Sequence, residues 1–146
     1  MNSFSYSNAG LALTKRFEGL RLEAYQDQGG IWTVGYGHTG SDVKPSRQVT
    51  EFEAEALLRA DLRDAIACVN RSVRAPIGQH HFDAMVDFCY NIGRGNFGRS
   101  SLLAYVNSRD FAEAEAQFAR WDLVNAQPAP GLVRRRAAEA AMFRGD

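Results

Sequence analysis

Between residues 21 and 40 the chain changes its pattern, and that change limits the fold. Leu22-Glu23-Ala24-Tyr25-Gln26 and Ile31-Trp32-Thr33-Val34-Gly35-Tyr36 both alternate apolar and polar residues. Asp27-Gln28-Gly29-Gly30 lies between them. Alternation on both sides of a glycine-bearing turn signals a β-hairpin. Most of the rest of the chain shows apolar residues at helical spacing. A single hairpin cannot bury itself, so this one must lean on helices. The expected class is α+β, mainly α.

The spacing predicts a first helix over 8–20, capped by Asn8, with Leu13, Phe17 and Leu20 on one side. Residues 38–49 read as a loop with room for a short third strand. Thr50 and Glu53 form a capping box. It opens a long helix to about Val73, whose stripe is Leu58, Leu62, Ile66, Val69 and Val73. A third helix is expected from Gln79 to Ile92, stopped by Gly93. Arg94 to Arg99 reads as a glycine-punctuated loop. Ser101 is expected to cap a short helix to Val106, and Asp110 with Glu113 to open another. Pro128 and Pro130 mark a loop before a last helix over 132–143.

At 146 residues the chain fits one domain. The expected division is a hairpin lobe at about 22–49 and a helical lobe at about 50–146 together with the first helix, with a cleft between them. Lys plus Arg and Asp plus Glu number 17 each, so the formal charge is zero. Neither half is a polyelectrolyte, and nucleic acid is not expected as a partner. No apolar run is long enough for membrane insertion. Met1 to Ser7 lacks the charged and apolar regions of a secretory signal. Cys68 and Cys89 each sit in an apolar helical pattern and are expected to be buried free thiols. His80 and His81 are adjacent and diverge on a helix, so no metal site is expected.

Glu18, Asp27 and Thr33 suit one kind of chemistry. Hydrolysis of a glycosidic bond needs a carboxylic acid for the leaving oxygen and a second carboxylate to position water or to stabilise positive charge. An acid that works near neutrality needs an apolar setting. Glu18, beside Phe17 and Leu20 at a helix end, is the better acid. Asp27, in a turn, is the better ionised partner, and Thr33 follows on the return strand. On spacing alone these are equally a helix-surface charge, a turn residue and a strand filler. Gly35, Gly37 and Gly40 leave little bulk beside that strand, which would let a polymer approach. Tyr25, Trp32, Tyr36 and Phe97 are candidates for stacking on sugars or for the core, and Phe97 is the one expected to face a ligand. Arg94 and Asn96 are candidate sugar hydrogen-bonders. In Arg134-Arg135-Arg136 the favoured reading pairs Arg135 and Arg136 with acidic groups and leaves Arg134 solvated, against a phosphate-binding patch.

The run Glu18-Gly19-Leu20-Arg21-Leu22, Ala24 to Asp27 and Trp32 to Gly40 resembles the start of the phage-type lysozymes, glycoside hydrolase family 24. The resemblance continues through Asp83 to Phe88, Asn91 to Phe97, Ser100 to Leu103 and Gly131 to Glu139. It implies a lysozyme-like fold and a signal-less endolysin of a tailed phage of Gram-negative bacteria. Such an enzyme cuts the β-1,4 bond between N-acetylmuramic acid and N-acetylglucosamine in peptidoglycan and so lyses the host. The family's acid falls on Glu18, its second carboxylate on Asp27 and its water-associated hydroxyl on Thr33. His38 falls on a structural position near the cleft that pairs with the helical lobe. Ser101 and Met142-Phe143 depart from common family residues without touching the site. The implied partners are the glycan strands and a holin that breaches the membrane. The protein would be made in the host cytoplasm as a monomer, act in the periplasm and need no cofactor. The rival readings are a lytic transglycosylase, a non-catalytic wall-binding module, and a lysozyme domain of a larger device.

Overall fold

The computed structural model describes residues 2–146. Its helices and strands follow the order α1 Asn8–Glu18, β1 Arg21–Gln26, β2 Trp32–Gly35, β3 His38–Thr39, α2 Glu51–Ser72, α3 Gln79–Ile92, α4 Arg94–Gly98, α5 Ser101–Asn107, α6 Phe111–Gln117, a 3₁₀ turn Phe118–Trp121, β4 Leu123–Val124, β5 Gln127–Pro128 and α7 Pro130–Arg144. The class is α+β and mainly α. The chain forms two compact units, Thr14–Arg63 and Met1–Leu13 with Asp64–Asp146. The hairpin's unit therefore takes in the last turns of α1 and the first half of α2.

In the unit Thr14–Arg63, β1, β2 and β3 make an antiparallel sheet in that order. Tyr25 lies opposite Thr33, and Gln26 opposite Trp32. The segment 47–49 lines the outer edge of β1, through Ala24 N–H to Arg47 O at 2.8 Å and Val49 N–H to Leu22 O at 2.8 Å. That pairing satisfies an edge that would otherwise be open. Val34, Tyr36, Val49, Ala54, Leu58 and Leu62 are buried here. Gly35, at φ +68°, corrects the expectation of an open approach. A Cβ there would lie 3.3 Å from the Ala54 Cβ, so this glycine lets the strand pack against α2.

In the other unit α3 is the central helix. Every residue from Phe82 to Cys89 is buried, as befits a helix surrounded on all sides. Phe88 packs edge-on against Phe97, Phe118 and Trp121. Cys68 and Cys89 are free and buried, and burial pushes the Cys89 thiol up.

Several boundaries move. Ser7, not Asn8, caps α1, since its Oγ accepts from Gly10 N–H at 3.1 Å. Helix α1 stops at Glu18 because Gly19 turns left-handed at φ +75°. Ser100, not Ser101, caps α5, accepting from Leu103 N–H at 3.2 Å. The capping box of α2 forms in both directions, at 3.0 and 3.1 Å. Asp110 accepts from Glu113 N–H at 3.2 Å, as its spacing predicts. Arg94–Gly98 is a helix rather than a loop. Residues 123–128 form a small hairpin where only a loop was expected. Its turn is Asn125-Ala126, at φ 50° and 64°.

Candidate active site

The turn that carries Asp27 is closed several times over. Gly30 N–H donates to Asp27 O at 2.9 Å, and Asp27 N–H donates to Ile31 O at 2.9 Å. The Asp27 side chain folds back into the same turn. Its Oδ1 accepts from Gly29 N–H at 2.8 Å and from Ile31 N–H at 2.9 Å. This is an Asx turn, which short acidic side chains form readily. Gln26 Nε2 adds a bond to Gly30 O at 3.2 Å across the mouth of the loop. Among the described residues both side-chain bonds to Asp27 go to Oδ1.

Thr33 is 4% exposed. Its hydroxyl donates to Ile31 O at 2.9 Å. The peptide groups flanking Ile31 thus hold both side chains. The Ile31 N–H fixes one Asp27 oxygen, and the Ile31 carbonyl takes the Asp27 amide proton and the Thr33 hydroxyl proton. These bonds engage Asp27 through Oδ1 and Thr33 through its hydroxyl proton, so a further donor would meet Oδ2 of Asp27 or a lone pair of the Thr33 oxygen.

Glu18 closes α1, and Gly19 N–H caps that end through Lys15 O at 3.0 Å. Lys15 makes an ion pair with Glu55 of α2 and lies 5.7 Å from the Tyr36 ring centroid. These contacts tie the last turn of α1 to the hairpin and to α2. The Glu18 carboxylate rests against Gly37, at φ +85°, where a Cβ would come within 3.1 Å of Oε1. A side chain at 37 would crowd the carboxylate and strain the backbone.

His38 lies between two acidic side chains. Its Nδ1 lies 2.8 Å from Asp61 Oδ2 on α2, and its Nε2 3.0 Å from Asp42 Oδ2. Arg47 completes the chain at 2.7 Å from Asp42. Burial pulls the imidazole down, but hydrogen bonds and charge from Asp61 and Asp42 outweigh it and raise its pKa. Asp42 is held below its ordinary value by its bonds to His38 and Arg47.

The other expected ligand contacts lie in the other unit. Phe97 is a correction: it is 0% exposed. Gly93 starts a new helix there, and that helix turns the ring into the core. Asn96 spends its amide on Ile92 O at 2.8 Å and its carbonyl on Arg99 at 3.2 Å. Arg94 is exposed at the start of α4. Arg135 grips both oxygens of Asp87 at 2.9 and 2.8 Å. Arg136 bonds to Asn91 at 2.7 Å and to Glu139 at 3.1 Å. Arg134 is exposed. Among the described residues no three His, Cys, Asp or Glu side chains converge as a metal set. Nor is any helix long and apolar enough to cross a membrane.

Sequence reasoning missed Ile31 and Asp61. Ile31 acts through its backbone, which leaves no mark in the sequence. Asp61 is one of several acidic residues on α2, and only the fold selects it.

Comparison with known proteins adds the family. Residues 15–139 match the phage lysozyme family. The endolysin of Bacillus phage PZA is 45% identical over 139 residues, covering 94% of this chain and 54% of that protein. The chain thus spans about half that relative's length. The endolysin of Acyrthosiphon pisum secondary endosymbiont phage 1 is 43% identical over 141 residues, covering 94% of this chain and 96% of that protein. Among solved structures, the muramidase domain of SpmX from Asticaccaulis excentricus superposes with a TM-score of 0.89. It shows 42% identity, over 97% of this chain and 98% of that one.

Proposed function

The chain belongs to the phage lysozyme family, and from that premise we propose that it is an endolysin hydrolysing the β-1,4 bond between N-acetylmuramic acid and N-acetylglucosamine. Glu18 donates a proton to the glycosidic oxygen as the bond breaks. A water held by Asp27 and Thr33 attacks the anomeric carbon from the opposite face.

The observation that carries this reading is the way Ile31 holds both groups, its carbonyl accepting the Thr33 hydroxyl proton and its N–H donating to one Asp27 oxygen. Thr33 commits its only hydroxyl proton to that carbonyl at 2.9 Å, so toward a water it can only accept. Asp27 has its Oδ1 saturated by two N–H groups, so Oδ2 is the acceptor for the water's other proton. A water that gives both protons to these groups keeps its lone pairs for carbon. Asp27 Oδ2 takes the proton released on attack. Each proton then has a protein group to come from or go to, and the scheme calls for no cofactor. A carboxylate that handles a water rather than the sugar implies inversion, for which carboxyl groups are ~6.5–9.5 Å apart against ~5–5.5 Å in retaining enzymes. A transglycosylase uses no water and a wall-binding module uses no acid, so neither accounts for this pairing.

The proposal extends to the setting. A single lysozyme domain acts as a monomer on peptidoglycan strands. It is made in the host cytoplasm and reaches the periplasm after a holin opens the membrane. Expression alone should leave cells intact, and chloroform should lyse them at once. Prompt lysis without membrane disruption contradicts this part.

The test of the activity is clearing of outer-membrane-permeabilised Gram-negative cells by wild type and by Glu18→Gln. Wild type should clear the suspension. The folded variant should be slower by about 10²–10⁴-fold, the range general acid catalysis supplies. A folded variant that keeps more than about a tenth of the wild-type rate contradicts the assignment.

A further inference from the structure

We infer that Arg21, held over the Tyr25 ring, is the subsite for a carboxylate of the peptide stem that muramic acid carries. This rests on the lysozyme reading above and adds a specificity determinant to it. Tyr25 stands directly opposite Thr33 in the β1–β2 ladder, and residues paired this way project from the same face of a sheet. The Arg21 guanidinium lies over the Tyr25 ring, 4.3 Å from its centroid, so Arg21 belongs to that face too. Arg21 is exposed, and among the described residues no carboxylate pairs with it. Two other cations of the same unit are engaged: Lys15 with Glu55 and Arg47 with Asp42.

A guanidinium held over an aromatic ring loses freedom there, and its N–H groups still have no acceptor in the ring system to satisfy them fully. That arrangement suits bidentate capture of a carboxylate. The N-acetylated glycan backbone is neutral. The anionic groups of the polymer are the carboxylates of the stem, which hangs from C3 of muramic acid, two ring atoms from the anomeric carbon. Thr33 marks the attack position at that carbon in the proposed reaction. Tyr25 is one strand spacing from Thr33, ~4.8 Å, and the Arg21 guanidinium reaches over its ring from further along β1, where that strand faces Gly35. The occupant is therefore the stem of the same sugar whose bond is cut.

The test compares stem-bearing strands with the same strands after carbodiimide coupling to methylamine, which turns stem carboxylates into neutral methylamides. For wild type, kcat/KM should fall about tenfold on the amidated strands, the worth of one charge-assisted contact. Arg21→Ala should cleave both substrates at that lower level, with the change in KM rather than kcat. Arg21→Lys, which keeps the charge, should lie between. The proposal is overturned if wild type is indifferent to amidation, or if Arg21→Ala loses as much on amidated strands as on native ones, which would mark a purely structural role. Folded wild type that cleaves neither substrate overturns the lysozyme reading itself, a different outcome from either of these.

Discussion

The two compact units treat their carboxylates in opposite ways. In Thr14–Arg63, Asp27 is exposed, and it is positioned by backbone N–H groups of its own turn. In the other unit, Glu139 and Arg136 are sealed among apolar side chains, with Phe88 beneath the guanidinium at 5.1 Å. Burial, together with a hydrogen bond to Asp87, pushes the Glu139 carboxyl well above its ordinary range. One carboxylate is held still and left open to solvent; the other is removed from water. The lesson is that fixing a charge need not bury it. Main-chain N–H groups in a tight turn hold Asp27 at no desolvation cost, whereas Glu139 depends on Arg136 and Asp87.

The largest expected effect separates the units by activity. Asp27→Asn keeps an oxygen for the Gly29 and Ile31 N–H groups but replaces Oδ2 with a nitrogen that cannot accept a proton. Hydrolysis should fall by about 10²–10⁴-fold, with the melting temperature little changed. A large loss of stability instead would mean that Asp27 is a structural turn residue. Glu139→Ala is the reverse case. Breaking a buried pair costs about 3–5 kcal/mol, roughly a 10 °C fall in Tm for a domain of this size. The activity of the protein that stays folded should be unchanged. Glu139→Gln, which mimics the neutral acid, should recover most of that stability. Equal damage from Gln and Ala would show that Glu139 is needed as an anion.

A smaller effect is expected at Thr33. Thr33→Ser keeps the hydroxyl and should retain most activity. Thr33→Val removes the acceptor for the water and should cost about 10–100-fold, the worth of a lost hydrogen bond in a reacting site. If Val and Ser behave alike in steady-state assays, the hydroxyl has no part in holding the water.

The smallest effects belong to two histidines, one in each unit. His38 has a raised pKa, so its ion pairs stabilise the fold below its ordinary value of 6.5, and that contribution fades as pH rises through the raised value. Asp42 has a lowered pKa, so its part is present above 3.8 and fades as acid protonates it. His38→Asn should therefore cost most, a few degrees of Tm, between about pH 4 and 6.5, and less at pH 8. His81 is pushed down to about 4 by burial and by neighbouring His80. The unfolded chain takes up this proton near 6.5, well before the folded one, so His81 weakens the fold as pH falls from 6.5 to 4. The gap between wild type and His81→Gln should narrow over that range. Melting curves from pH 4 to 8 check both, and parallel trends for the two variants would contradict the difference in their surroundings.

Much of this was legible because local chemistry decided it. The capping box Thr50–Glu53, the hairpin turn at 27–30 and the helical stripe of α2 follow from side chains a few residues apart. Misplaced caps at Asn8 and Ser101 reflect two adjacent residues that can both cap a helix. The turn Asn125-Ala126 leaves no clear mark in the sequence because it lacks the glycine such turns usually carry. Three glycines near Phe97 suggest a loop, while the ring's burial against Phe88 is set by the fold. Glu18, Asp27 and Thr33 were visible as residue types with one chemistry. The Ile31 carbonyl that joins Asp27 to Thr33 is common to every residue, and only the folded backbone shows what it holds.

The product of digestion tests most directly whether Asp27 and Thr33 aim a water. Peptidoglycan fragments released in isotopically labelled water should carry the label at new reducing N-acetylmuramic acid ends. Early NMR spectra should show the α-anomer before it equilibrates, as inversion of a β-bond requires. Ends in the 1,6-anhydro form, lighter by one water and unlabelled, or a β-anomer appearing first, would contradict the account.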